Sequence, residues 1–231
     1  RHVHNLFHNR IPFEIVVVDD GSGDATRREI ESVAAELPET RPVYLETNMG
    51  KGSALRRGFQ ASRGDFVLLL DGDLDLPPHQ VSHFFEIMEK EEADVVNGSK
   101  RHPDSVIDYP WHRRLMSVAY YALVKFLIGL PIRDTQTGIK LFKREVLEWV
   151  VPRMLEKRFA FDLELLAIAN ERGFKVAEAP VTLKFTGSWG CVRPTTVRDI
   201  MTDTLAILYR LRILHYYQSI PDTRMPDPSP L

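Results

Sequence analysis

The sequence predicts an α/β domain built on a mainly parallel sheet with flanking helices, followed by amphipathic helices at its C-terminal end. Three observations point there. Over the first two thirds of the chain, short β-branched or apolar runs alternate with helix-length amphipathic patterns, the rhythm of βαβ units. One run, Asp65–Leu70 (DFVLLL), is apolar throughout after its first residue, the mark of a strand covered on both faces. Two of the runs end in acidic residues beside glycine, Asp19-Asp20-Gly21-Ser22 and Asp71-Gly72-Asp73. In parallel sheets, ligands bind outside such carboxyl ends.

Taken in order, residues 1–10 (RHVHNLFHNR) read as the tail of a helix, and an opening on Arg1 suggests that the natural start lies upstream. Glu14–Val18 is a β-branched strand. Asp24–Leu37 is a helix capped by Asp24 and stopped near Pro38. Pro42–Leu45 is a short strand, and Lys51–Ser62 a helix with Leu55, Phe59 and Ser62 on one face. After the buried strand come a helix over His79–Glu91 and a strand over Asp94–Asn97. Residues 100–114 carry Arg, His and Pro without a period and read as a loop. Residues 115–130 are apolar and helical, and Asp134–Phe142 turns from polar to apolar. Glu145–Met154 and Asp162–Arg172 are helices, and Lys175–Phe185 makes one or two strands around Pro180. Val197–His215 is a long apolar-periodic helix, with a Pro-rich tail expected to be disordered.

Residues 115–132 carry one charge, Lys125. A Lys at a bilayer centre costs roughly 2.5–3.5 kcal/mol on insertion scales, and Gly129-Leu130-Pro131 would break the helix. This segment is read as buried or interfacial rather than spanning, and residues 205–217 likewise, with Arg210, Arg212 and His215 placed to snorkel. Lys plus Arg total 30 against 32 for Asp plus Glu, a net charge of −2. That balance excludes nucleic-acid binding by bulk charge. Apolar residues at 44% and charged residues at 27% are those of a globular chain. One cysteine, Cys191, leaves no internal disulfide framework.

The acidic strand ends carry the chemistry. Asp71 and Asp73, with Asp75 a step further, can share a hard cation, Mg²⁺ or Mn²⁺, whose remaining shell is usually substrate phosphate and water. Asp19 and Asp20 can accept from a base or ribose hydroxyl. Asn48-Met49-Gly50-Lys51-Gly52 offers glycines and a cation at a helix start, an anion-binding layout without P-loop spacing. Lys100, Arg101, Arg113 and Arg114 stand next to the apolar helix, a setting for a phosphate on a greasy molecule.

Together these motifs resemble the family 2 glycosyltransferases of the GT-A (Rossmann-like) fold. Asn97-Gly98-Ser99-Lys100-Arg101, Asp134-Thr135-Gln136-Thr137-Gly138-Ile139-Lys140-Leu141-Phe142 and Phe159–Leu166 are similar to the polyprenyl-phosphate branch. The Asp-Thr-Gln-x-Gly-x-Lys-Leu-Phe form is most similar to dolichyl-phosphate β-glucosyltransferases, with the mannosyltransferases close behind. The resemblance covers about residues 11–190.

The resemblance implies an inverting enzyme that moves a hexose from a nucleotide-diphosphate sugar to a polyprenyl or dolichyl phosphate. UDP-glucose is the favoured donor. GDP-mannose is the first alternative, and a non-catalytic GT-A scaffold the second. Asp19, Asp20, Gly21, Ser22, Lys51 and Gly52 would border the nucleoside, Lys51 on the side of the base. Asp71, Asp73 and Asp75 would form the metal motif, Asp73 holding the cation. Asp134, Gln136, Lys140, Asp162 and Glu164 would contact the sugar or order its loop. Lys100, Arg101, Arg113 and Arg114, with Ser188, would screen the acceptor phosphate. The implied setting is peripheral, at the cytoplasmic face of a membrane. Residues 1–190 would form the GT-A domain, 191–217 a membrane-facing helix and 218–231 the tail. Three departures from the pattern stand out. The first strand, with its Pro-x-Tyr-Asn-Glu stretch, is not in this sequence, Asp75 replaces the Gln of mannosyl-type enzymes, and Trp189 stands where many relatives have Lys.

Overall fold

The computed structural model describes residues 1–107, 111–158, 160–183 and 194–221, while the side chains of 111–116 and 194–197 lie outside the described set. The order is α1 (His2–Phe7), β1 (Ile15–Asp19), α2 (Thr26–Glu36), β2 (Thr40–Tyr44), α3 (Lys51–Ala61), β3 (Phe66–Leu70), α4 (Val81–Lys90) and β4 (Val95–Ser99). There follow β5 (Val106–Ile107), α5 (Trp111–Ile128), β6 (Ile139–Lys143), α6 (Arg144–Val150), α7 (Phe161–Arg172), β7 (Val176–Pro180), β8 (Thr182–Leu183), α8 (Pro194–Arg212) and α9 (Tyr216–Ser219). The expected alternation therefore stands, with most boundaries moved by a residue or two. Three differences are physical. Asp24 accepts the Thr26 N–H at 2.9 Å, but from one residue before the N-cap, Ala25. The expected loop at 100–114 contains β5, and its last residues open α5. Arg210 and Arg212 are tied to the protein rather than free to snorkel: partly buried Arg210 pairs with Glu156 at 2.6 Å, and exposed Arg212 donates to the Ile128 carbonyl at the end of α5 at 2.6 Å.

Parallel ladders join β1 to β2, β4 to β7 and β5 to β8. The central four-stranded sheet has the order β3-β6-β4-β7, and β6 runs antiparallel to both of its neighbours. No ladder joins β1–β2 to this sheet among the described residues.

Period-two alternation splits the central strands between two cores. Leu68, Leu70, Val96, Ile139 and Leu141 face α4, with Phe84 and Val81. Val67, Leu69, Val95 and Phe142 face α5, α6, α7 and α8. Helix α7 is buried from Phe161 to Ala169, polar residues included, and ends at Gly173 in a left-handed cap. Covering on both faces explains why DFVLLL lacks polar alternation. No described helix is long and apolar enough to cross a membrane.

Candidate active site

The site assembles on one rim of the central sheet because of how β6 runs. Being antiparallel, β6 begins where β3 ends, and Ile139 stands opposite Leu70. The residue before β6, Gly138, accepts the Asp71 N–H at 3.0 Å. A Cβ at Gly138 would fall 2.0 Å from Asp71 Oδ2, so only glycine allows the loop this close to the carboxylate. Asp71 Oδ1 in turn takes an ion pair from Lys51 at 2.6 Å, with both side chains about one-third exposed. Lys51, the first residue of α3, lies 5.7 Å from the Phe161 ring centroid.

A second lysine–aspartate pair lies beneath. Lys140 on β6 projects into the α7 core with 1% exposure and donates to Asp162 Oδ1 and the Thr137 carbonyl, each at 2.5 Å. Burial raises the Asp162 carboxyl above its usual range, while Lys140 and then Lys51 pull it back and Asp71 adds a small repulsion. The four groups therefore form one electrostatic column.

The loops on either side are fastened by carboxylates. Asp19 accepts the Ser22 N–H at 3.0 Å. Asp20 accepts the Met49 and Gly50 N–H groups, both at 2.8 Å, and so binds the β1 loop to the start of α3. Gly50 has φ +92°, a left-handed conformation suited to glycine. Gly52 donates to the Lys157 carbonyl at 2.9 Å. Asp134 gathers the Lys100 N–H at 3.0 Å, the Gln136 N–H at 3.0 Å, the Thr137 hydroxyl at 2.7 Å and the Lys100 ammonium at 3.6 Å. Arg101 stacks 4.6 Å from the Tyr121 ring of α5, which Lys125 also approaches at 5.7 Å.

Asp73 is exposed and accepts the Asp75 N–H at 3.1 Å. Leu74 between them has φ +63°, a strained value for a γ-branched side chain. Among the described residues, only His4, His8 and Glu39 bring three ligating side-chain atoms within 4.8 Å of one another. Asp71, Asp73 and Asp75 thus form no closed carboxylate cage. The rim nonetheless suits a hard cation that takes one or two carboxylates and fills its shell with substrate phosphate and water.

Glu164 stands apart from the rim. It is fully buried and its oxygens are taken by the Leu155 and Glu156 N–H groups at 2.9 and 2.8 Å, the Tyr217 hydroxyl at 2.7 Å and Arg210 at 3.3 Å. Burial raises its carboxyl despite these donors, and pushes the Tyr217 phenol well above its ordinary range. Arg113 and Arg114 fall in the first turn of α5 with side chains outside the described set, and Ser188 lies outside the described residues.

Several features of the site were not read from the sequence: the Lys51–Asp71 pair, the Gly138 approach, and a set of idle polar atoms. Asn97 Oδ1, Ser99 Oγ and Gln136 Nε2 are buried without a hydrogen-bond partner among the described residues. Asn97 Nδ2 donates to the Asp134 carbonyl at 2.6 Å, so these atoms border the Asp134 loop. A buried unpaired polar atom costs about 1–3 kcal/mol, so these groups call for a partner, a water or a polar ligand, beside the rim.

A strand-end carboxylate rim on an α/β sheet, lined by a lysine and glycine loops, lies where ligands bind in folds of this class. The chain belongs to glycosyl transferase family 2, whose model matches residues 1–150. It is 34% identical over 189 residues to the glycosyltransferase AglD of Haloferax volcanii, covering 82% of this chain and 30% of that protein. It is 33% identical to the dolichyl-phosphate β-glucosyltransferase of Dictyostelium discoideum, covering 74% of this chain and 55% of the relative. The Homo sapiens enzyme of that name is 34% identical, with 75% and 56% covered. This chain thus spans about half the length of the two glucosyltransferases, and less of AglD. In fold it is similar to glucosyl-3-phosphoglycerate synthase of Mycobacterium tuberculosis, solved with Mn²⁺, UDP-glucose and glycerol 3-phosphate. The TM-score is 0.65 at 20% identity, covering 96% of this chain and 76% of that one. The fold class is therefore GT-A.

Proposed function

We propose that this chain is the donor-binding and catalytic part of an inverting hexosyltransferase that moves glucose from UDP-glucose to a polyprenyl phosphate of the dolichyl type. The observation that carries the reading is the shared rim. The Asp71 end of β3, Lys51 at the start of α3 and the Asp134–Gly138 loop are in direct contact. The names of the glucosyltransferase relatives support the acceptor and the sugar.

In this reading the acceptor phosphate oxygen attacks the anomeric carbon from the face opposite the leaving group. The new C–O bond forms as the bond to the diphosphate breaks, UDP departs and the configuration inverts. The acceptor is already anionic, so no strong general base is required. The protein must instead hold two anions together in line. Asp73 and Asp71, with Asp75 beside them, would hold Mg²⁺ or Mn²⁺, which neutralises charge growing on the leaving diphosphate. Lys51 offsets Asp71 and keeps the rim from repelling the donor. Lys100 and Arg101, with Arg113 and Arg114, supply positive charge toward the acceptor side. Gln136, Asn97 and Ser99 offer idle polar atoms to sugar hydroxyls. Asp19 and Asp20 shape the loops against the nucleoside, and Asp162 with Lys140 supports the rim from beneath.

The setting proposed is peripheral, at the cytoplasmic face of a membrane. Phe126 on α5 is 87% exposed and Ile213 at the end of α8 is 66% exposed. Val118 on α5 and Leu205 and Tyr209 on α8 are also exposed, with Lys125 nearby in sequence. Apolar faces with cations suit an anionic lipid surface.

Incubation of the full-length protein with labelled UDP-glucose, polyprenyl phosphate and Mg²⁺ tests the reaction. Lipid-linked glucose is expected from the wild type, with at least about a hundredfold loss in Asp73→Ala. No product from either, or equal product from both, would sink the proposal. A preference for GDP-mannose over UDP-glucose would replace the donor, and full-length protein remaining unbound to anionic liposomes at low salt would remove the membrane setting.

A further inference from the structure

We infer that His4, His8 and Glu39 form a binding site for a divalent transition-metal ion, Zn²⁺ foremost, separate from the carboxylate rim. His4 and His8 are one helical turn apart, the i, i+4 spacing by which paired imidazoles on one face take hold of zinc. Their rings lie 4.5 Å apart between centroids, 27° from parallel. Glu39 arrives from the turn between α2 and β2 and sets one oxygen toward each ring. Oε2 is 3.5 Å from His4 Nε2, and Oε1 is 3.7 Å from His8 Nδ1.

These separations are long for hydrogen bonds and close to what a metal needs. Zn–N bonds of about 2.0–2.1 Å set neighbouring tetrahedral ligand atoms about 3.3–3.4 Å apart. One ligand atom from each residue lies within 4.8 Å of the other two. Rotation of the stacked imidazoles toward Glu39 would close the remaining gap. Glu39 Oε2 is also buried and has no hydrogen-bond partner among the described residues, so the site contains an acceptor with nothing to accept. The nearby cation Arg1 is engaged elsewhere, bound to Glu36 at 2.6 Å. His8 is 49% exposed at its side chain and His4 14%, which leaves the pair open on one side for an ion and a water ligand. Two imidazoles and one carboxylate favour Zn²⁺, Ni²⁺ or Cu²⁺ over Mg²⁺, whose shell is oxygen.

The location gives the ion a structural task. Helix α1 has six residues, too few to stand alone in water. Its Leu6 and Phe7 pack on the α4 side of the central sheet, while Glu39 leads directly into β2. An ion at this point staples the two-stranded sheet to the four-stranded one, which share no ladder among the described residues. Because folding is what brings Glu39 to the two histidines, the ion binds the folded chain more tightly and raises the melting temperature by mass action.

The test titrates Zn²⁺ into the full chain by calorimetry in excess Mg²⁺, with Co²⁺ absorption as a second readout of imidazole ligation. One strong Zn²⁺ site is expected, weakened at least about tenfold in His8→Ala and in His4→Gln. It should be unchanged in Asp73→Ala. A Zn²⁺-dependent rise in melting temperature should disappear in the same two histidine variants. His8 is half exposed, so its variant keeps the experiment sound if His4→Gln fails to fold. Identical isotherms for wild type and His8→Ala would overturn the inference, as would binding that survives in His8→Ala and is lost in Asp73→Ala.

Discussion

Two lysine–aspartate pairs lie in one column, and they have nearly the same length. Lys51 meets Asp71 at 2.6 Å and Lys140 meets Asp162 at 2.5 Å. They differ in water. The upper pair is about one-third exposed, and the lower pair is 1% and 7% exposed. An exposed pair is worth little, near 0–1 kcal/mol, so a ligand can open it at small cost. A buried pair cannot open, because either partner left alone is an uncompensated charge. Equal geometry thus gives a pair free to open above and a fixed support below.

The sharpest way to break the comparison is Lys140→Ala. It strands Asp162 and should cost about 3–5 kcal/mol, read from chemical denaturation. Lys140→Met with Asp162→Leu removes both charges and should recover most of that loss. A double variant as unstable as the single one would show that the pair itself, not the stranded charge, holds the fold. Tyr217→Phe tests the other buried carboxylate. Glu164 keeps Arg210 and two backbone donors, so the expected loss is about 1.5–3 kcal/mol by the same measurement. Lys51→Ala should lower stability by less than about 1 kcal/mol. Its effect should fall instead on UDP-glucose-dependent transfer, and a wild-type rate in that variant would remove Lys51 from the site.

The smallest effect concerns a partly exposed pair away from the rim. Asp94 accepts Lys143 at 2.7 Å and the Lys175 N–H at 2.9 Å. Burial pushes its carboxyl up, but these partners win and hold it below the usual range. The unfolded chain therefore binds more protons between the folded value and the ordinary one near 3.9. The pair's contribution is fully present above that ordinary value and is lost as pH falls through the folded one. Asp94→Asn should flatten the stability profile over that acidic window, with a small loss at neutral pH and little change below the folded value, where the pair's contribution is already gone.

Much of the frame was legible because it depends on local pattern. A run like DFVLLL admits one main reading, and an acidic turn after it marks the strand end. The direction of β6 was not legible, since a segment that passes from polar to apolar carries no sign of which neighbours it opposes. Glu164 shows the same limit. An acidic residue in the first turn of a helix reads as a dipole partner, while its actual partners, Arg210 and Tyr217, are 46 and 53 residues away. Arg210 and Arg212 misled for a related reason. An apolar-periodic helix with basic residues looks alike whether those residues reach lipid headgroups or a neighbouring helix. The idle atoms of Asn97, Ser99 and Gln136 depend on which donors fail to meet, which no single segment reveals.

The reversed strand has a consequence for how the molecule tolerates change. The chain leaves β4 at the rim after Ser99, passes through β5 and α5, and re-enters at the same rim through Gly138 into β6. Departure and return share one doorway. Residues 100–137 are therefore an excursion bounded by one doorway, tied back by the β5–β8 ladder and by Val124, Ile128, Leu130 and Ile132 in the core, so its exposed turns are where changes of length disturb the pairing of β6 least. The sheet works as a socket, and α5 is the part that plugs into it.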